Sequence, residues 1–478
     1  MEHSVAPAIT EAEEIKLWRR IDLRLMPMIS LMYLFSFMDR GVSCSNAKLD
    51  GLTTQLNLAG DKYNIALVMS FLFSLFYVSH GRVPSSLAIQ VIRPSRWLPG
   101  ITVLWGIVMT LMGFVKTYPQ LVGVRVCLGV AEAGFLPGVA YYLTMWYPKY
   151  MYQYRLALFL GATSLAGAFS GLLAYAIDYM DGDGGLEGWS WIFILEGVVT
   201  ILLGFIAAFV MVDYPSTAKF LTAEERSFVI EKRRRDAAQD EEYPMSQQVW
   251  AAFTDWQVWR IPFQPSSTSK VAPRVPHCSL LTSRSFGYST SLSQLLTVPP
   301  YALATVTILV FAHFADKNKL RSPFVFAAQL IALFGYIINI SDAPSGVKYF
   351  GTYLCVIGSY SSSPGSISWL ANNLQGKYKR AVGIALQISA ANLGGAAACN
   401  IFRSQDAPRY LLGHGLEIMF ISIGLIAIPI IVLTYRRMND QLDREELLEK
   451  QQGQDIESKE EGWASSTSSR APGFRYTI

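Results

Sequence analysis

Apolar runs of about 20 residues recur along most of the chain, and at ~1.5 Å of rise per residue each is long enough to cross a hydrocarbon core as a helix. The runs fall at 23–42, 63–83, 99–117, 120–142, 156–178 and 190–212, and after a polar stretch at 293–314, 323–341, 349–369, 381–401 and 412–434. A lipid environment forces every backbone group to bond within its own segment, so a chain of such runs is expected to be all-α and polytopic. Charge agrees: 16% of residues are charged, against about 25% in soluble domains. A net charge of +4 does not point to nucleic acid. The five cysteines have neither paired nor metal-like spacing.

Basic residues orient the spans, because loops rich in Lys and Arg stay in the cytoplasm. Arg82, Arg93 and Arg96 follow the second run, Lys149 and Arg155 the fourth, and Lys219, Arg226 and Lys232 to Arg235 the sixth. The expected organisation is a cytoplasmic N-terminus (1–22), a six-helix half (23–213), a cytoplasmic central loop (214–260), a second half (261–436) and a disordered cytoplasmic tail (437–478). Within the central loop, Thr222 followed by Glu225 is a capping pattern for a short surface helix.

The second half poses a conflict. Lys317, Lys319 and Arg321, then Lys377, Lys379 and Arg380, then Arg436 and Arg437 all call for the cytoplasm. So does the loop ending near 260. The chain must therefore cross the membrane between about 260 and 290. The stretch "IPFQPSSTSKVAPRVPHCSLLTSR" carries Pro262, Pro265, Pro273 and Pro276 with Lys270, Arg274 and Arg284. Prolines interrupt helical bonding, and each buried base costs about 2.5–3.5 kcal/mol at mid-membrane on insertion scales. A crossing is required where the residues oppose one.

The pattern of six spans, a basic loop and a second half resembles the major facilitator superfamily. "PSRWLPG" (94–100), "RVCLGVAEAGFLPGVAYYLTMWYP" (125–148), "GWSWIFILEG" (188–197), "FTDWQVW" (253–259), "SWLANN" (368–373) and "KRAVGIALQISAANLGG" (379–395) are similar to the fungal anion:cation symporter family, which includes allantoate and nicotinate permeases. The resemblance implies two six-helix halves and a seventh span between "FTDW" and "GYS". Here the flanks and the length survive and the content does not, as two compensating frame changes or a mis-set exon boundary would leave it. The seventh span at 261–286 is thus expected to be degenerate or missing. Two further departures lie near the first and second spans, "DRGVSCSNAK" and "SHGRVPSS".

Ionisable residues inside apolar runs are costly and usually face a cavity or a partner. Asp39 and Arg40, which the resemblance marks as "DR", form either a gate or substrate contact or an interfacial ion pair; Asn46 of "SNAK" joins them as a candidate. Arg125 and Glu132 lie about two helical turns apart on one face. Arg125 offers a cation to an anion and Glu132 a proton carrier, or each serves packing alone. Glu196 reads equally as a cavity residue or an interhelical partner. Gln387 and Asn392 can bond substrate or act as helix glue, and Tyr142 and Tyr360 can line the cavity or pack at an interface. "HFADKNKLRSPF" (313–324) resembles the charged loops of facilitators, in which Asp316 with Lys317 or Arg321 latches a gate or merely sets topology.

No Walker loop, HExxH or GxSxG is present, so neither an enzyme nor a cofactor is expected, and ion-gradient coupling is. The expectation is a monomeric, multi-pass plasma-membrane symporter that moves a small organic anion with a proton. Its alternatives are a non-transporting nutrient sensor and an inactive product lacking the seventh span.

Overall fold

The computed structural model describes residues 10–41, 55–56, 92–132, 134–177, 180, 182–237, 245–260, 296, 298–376, 378–388, 390, 411–457 and 475–477. Among them the regular structure is helical. The first half comprises α1 (Glu11–Gly41), α2 (Pro94–Met112), α3 (Tyr118–Glu132), α4 (Phe135–Trp146), α5 (Lys149–Ile177) and α6 (Gly188–Val210). The central segment holds α7 (Ala223–Ala237), α8 (Met245–Thr254) and α9 (Trp256–Arg260). The second half contains α10 (Val298–Lys317), α11 (Ser322–Ile340), α12 (Ser345–Asn373), helical residues 378–388, and α13 (Leu411–Glu457).

Seven of the described helical segments are long and apolar enough to span a membrane, with α3 and α4 counted as one. Apolar side chains face outward along single helix stripes: Leu202, Phe205 and Phe209 on α6, and Ile426, Ile430 and Leu433 on α13 are all exposed. Such stripes suit a lipid surface.

Helix contacts give each half a tight scaffold pair, α2 with α6 and α11 with α12, while α5 packs on α10 and α12 and so joins the halves. Without a hydrophobic drive between helices in lipid, close approach through small residues does the work. A Cβ on Gly197 would lie 2.5 Å from the Thr110 amide nitrogen, and one on Gly358 would lie 2.5 Å from both the Ala328 carbonyl oxygen and the Ala332 amide nitrogen. Backbone cannot give way as a side chain can. Gly358→Leu is therefore expected to force α11 and α12 apart and lower stability by about 1–3 kcal/mol or more. Thermal unfolding of the purified variant checks this, with Gly123→Ala, where a Cβ meets nothing within 4 Å, as the neutral control.

The central segment folds back on the first half. Thr222 and Glu225 form the expected capping box, with Thr222 N–H donating to Glu225 Oε2 (3.0 Å) and Glu225 N–H to Thr222 Oγ1 (3.2 Å). Arg20 of α1 then pairs with Glu225 at 2.9 Å, and Lys232 pairs with Glu14. These contacts seat α7 on the start of α1, and the Arg155–Asp22, Tyr154–Asp316 and Lys379–Asp255 contacts carry this loop face to the ends of α10 and α12.

Residues 261–286 lie outside the described residues, but the flanks of the longer gap are placed. Asp255 pairs with Lys379 (2.6 Å) just beyond the end of α12, whereas the Leu296 carbonyl accepts a hydrogen bond from Tyr349 near the start of α12 (2.8 Å). The two flanks thus sit at opposite ends of one helix.

The tail departs from expectation. α13 does not stop at 436 but continues as one helix to Glu457. "RRMNDQLDREELLEK" is dense in good helix formers with no proline, so a charged run assigned to disorder extends the helix. Residues 475–477 are also placed, against the end of α12 and the middle of α13.

Candidate functional site

One turn of α1 gathers three acidic groups of the first half, Asp39, Glu132 and Glu196. Ser36 and Asp39 are three residues apart, hence neighbours on one helix face, and both are buried. Ser36 Oγ donates to Glu132 Oε1 at the end of α3. Asp39 Oδ2 accepts a 2.6 Å hydrogen bond from Trp105 Nε1 of α2. The Glu196 carboxyl on α6 lies within electrostatic range of that of Asp39. Both are almost wholly buried, at 3% and 2% exposure, and no N–H or O–H donor reaches either Glu196 oxygen. Two adjacent buried carboxylates repel; one proton between them converts repulsion into a hydrogen bond.

A cation lies nearby. Arg125 of α3 is 3% exposed, its guanidinium sits 5.9 Å from the Phe193 ring centre, and its Nη2 has no hydrogen-bond partner. Phe193 precedes Glu196 by three residues on α6, so Arg125 lies about one helical turn from the carboxyl pair along that face.

Aromatic rings connect this cluster to the second half. Trp105 meets Phe135 edge-on (5.5 Å), and Tyr33 stacks on Phe159 of α5 at 4.2 Å. Tyr360 of α12 lies within electrostatic range of Tyr33 and packs edge-on against Tyr301 of α10 at 5.7 Å. Pro364 inside α12 has no N–H for the Tyr360 carbonyl. The same stretch buries Ser359 and Ser361, whose hydroxyls find no partner. Gln387 Nε2 donates to the Ser366 carbonyl (3.3 Å) while its Oε1 is unpartnered. Gln387 therefore both ties two helices and retains a free acceptor.

The loop between α10 and α11 makes a second cluster. Lys319 adopts a left-handed conformation (φ 55°), and the Leu320 N–H returns to the Ala315 carbonyl at 3.2 Å. This helix-ending turn brings Arg321 back onto Asp316. Arg321 is fully buried, and its Nη1 donates to Asp316 Oδ1 (2.5 Å) and to Gln153 Oε1 of α5 (2.5 Å). Asp316 Oδ2 accepts from the Tyr154 N–H at 2.7 Å. The adjacent Arg155 makes a two-pronged contact with Asp22 of α1, at 3.1 and 2.9 Å. Groups of both halves thus meet in one charged network on the loop face.

The structure brings Asp39, Glu132 and Glu196 together around α1, with Arg125 over Phe193 on α6 and Tyr360 across the aromatic bridge. It sets Tyr142 apart: its hydroxyl donates to the Val212 carbonyl (2.6 Å), tying α4 to the end of α6. Of the two bases offered to Asp316, Arg321 takes the place and Lys317 is exposed. Arg40 lies in α1 with its side chain outside the described residues, as Asn46 and Asn392 lie outside them altogether. Sequence reasoning missed Ser36, Trp105 and Gln153, which carry no signal before the helices are assembled. It also missed His414 and Glu417, 3% and 1% exposed on α13, for which an ionisable residue inside the run 412–434 was signal enough.

Known proteins agree with this architecture. The sequence profile of the Major Facilitator Superfamily matches residues 29–399. The chain is 32% identical over 433 residues to an uncharacterized transporter of Schizosaccharomyces pombe, covering 90% of this chain and 85% of that protein. It is 31% identical to the MFS-type transporter cnsO of Penicillium expansum, covering 85% of this chain and 80% of cnsO. Among solved structures it resembles the proton:xylose symporter XylE bound to 6-bromo-6-deoxy-D-glucose, with a TM-score of 0.58 at 15% identity over 84% of this chain and 94% of that one. An inward-facing bacterial homolog of the human lysosomal transporter Spinster has a TM-score of 0.56 at 14% identity, covering 86% and 96%. The chain belongs to the Major Facilitator Superfamily and is a multi-pass membrane transporter.

Proposed function

We propose that the protein is a proton-coupled symporter of a small organic anion, a carboxylate, ureide or vitamin, working by alternating access in the plasma membrane as a monomer. The observation that carries this reading is the Asp39–Glu196 pair, two buried carboxyl groups within electrostatic range of each other, with no hydrogen-bond donor on Glu196. A pair of this kind takes up and releases a proton as access to it alternates. Arg125, with an open donor one turn away, supplies the charge an anion needs. The fold is shared with a proton:xylose symporter, which supports coupling by analogy; the resemblance of "SWLANN" and "KRAVGIALQISAANLGG" to the fungal anion:cation symporters supports the anion class.

Asp316, Arg321 and Gln153 act as the inward gate in this reading. They join the halves on the loop face, which the basic loops assign to the cytoplasm together with both termini. Opening inward separates Arg321 from Gln153 and Asp316 from the Tyr154 amide.

The test is uptake of a labelled panel of carboxylates and ureides in permease-deleted yeast, at acid and neutral pH. Accumulation of at least one compound is expected to rise in acid and to collapse with a protonophore. Uptake indifferent to both would remove proton coupling. In Glu132→Gln, the amide oxygen still accepts from Ser36, so folding is expected to persist. Wild-type accumulation in that variant would take Glu132 out of the proton path and leave the Asp39–Glu196 pair as its seat.

A further inference from the structure

Residues Arg475 to Thr477 lie against the loop-face end of α12 and the middle of α13, where two asparagines bond to their backbone. Asn373 Oδ1 accepts from the Thr477 N–H (2.7 Å), and its Nδ2 donates to the Thr477 carbonyl (3.0 Å). Asn439 repeats the arrangement one residue earlier: Oδ1 accepts from the Tyr476 N–H (2.8 Å) and Nδ2 donates to the Tyr476 carbonyl (3.0 Å). An asparagine amide presents a donor and an acceptor side by side. Each of these two therefore reads one residue's backbone in full, much as a neighbouring strand would. Trp369 Nε1 adds a third bond, to the Thr477 carbonyl at 2.8 Å.

Side chains supply the selectivity. The Tyr476 ring lies flat on Tyr435, 5.0 Å between centres and 7° between planes, and is 6% exposed within the apolar cluster that joins α8, α9 and α11 to α13. Arg475 reaches Asp443 Oδ1 (2.7 Å) and Glu446 Oε1 (3.0 Å) on the extension of α13. The hydrogen bond to Glu446, then that to Asp443, holds the guanidinium above its ordinary pKa. Main-chain bonds that give affinity, with pockets that read alternate side chains, are how peptide-recognition sites work.

We propose that the end of α12 and the facing stretch 435–446 of α13 form a peptide-binding site whose resident ligand is the chain's own segment Arg475–Thr477, and that the docked segment is a strap controlling the separation of the two helices there. α12 carries Tyr360 and its buried serines toward the bridge between the halves, so a strap on its end acts on the helix that moves with the site. The site also gives "SWLANN" a role: Trp369 and Asn373 bind the tail instead of a transported solute.

Hydrogen exchange on the purified transporter tests this, comparing the full chain with one ending at residue 474. Truncation is expected to speed amide exchange in the last turn of α12 and over 439–446 by on the order of tenfold or more, as the loss of one or two net hydrogen bonds implies. A synthetic peptide of the last six residues, GFRYTI, is expected to restore protection in the truncated protein. It is expected to fail when Asn373→Ala and Asn439→Ala are also present. Arg475→Ala in the full chain is the milder variant, with faster exchange confined to 439–446. Unchanged exchange on truncation, or a peptide that restores nothing, would overturn the binding site. Protection in the full chain that fades on dilution would assign the ligand to a second copy and overturn the strap within one chain.

Discussion

Glu196→Gln is expected to leave a folded carrier in which substrate equilibrates across the membrane but no longer accumulates. The glutamine amide can donate to Asp39 where two carboxylates need a shared proton, so it imitates the protonated pair permanently. Packing changes little, because the side chain is isosteric and 2% exposed. Coupling is what goes: a pair that cannot release its proton cannot draw on the gradient. Counterflow exchange of labelled for unlabelled substrate should persist while inside and outside concentrations become equal at steady state. Glu196→Asp keeps an ionisable group and should retain some accumulation. Full accumulation by Glu196→Gln would show that the proton travels elsewhere.

Arg321→Ala is expected to have the largest effect on stability. Its guanidinium is fully buried and serves Asp316, at 12% side-chain exposure, and Gln153 together. Removing one partner of a buried pair strands the other, at a cost of about 3–5 kcal/mol. Thermal unfolding in detergent measures it. The exposed Lys317 in the same loop provides the contrast, because Lys317→Ala is expected to stay within about 0.5 kcal/mol of the parent. Equal unfolding for Arg321→Ala and the parent would mean that the buried pair contributes nothing. Wild-type uptake by an otherwise folded Arg321→Ala would separate the pair from gating.

The two variants probe residues that were unequally legible. Asp39, Glu132 and Glu196 stand out in the sequence because a charge in an apolar run needs an explanation. Their grouping does not, since it depends on α1, α2, α3 and α6 meeting, and Trp105 becomes a partner of Asp39 only in that packing. Tyr142 shows the converse. Its place in an apolar run suggests a cavity wall, yet the nearest acceptor is the Val212 carbonyl at the end of α6. Gly197 and Gly358 were overlooked because a glycine in a span is ordinary until a facing backbone is found within reach.

Residue chemistry along the chain determined what depends on the solvent. Apolar runs of spanning length dictate helices in a bilayer, basic loops dictate their direction, and Thr222 with Glu225 dictates a helix start, because each rests on local hydrogen bonding or on transfer from water. Tertiary structure alone decided which distant groups meet: Glu196 with Asp39, Arg321 with Gln153, and Tyr476 with Tyr435. A buried polar group must find its partner wherever packing brings one, and separation along the chain sets no limit on where that is.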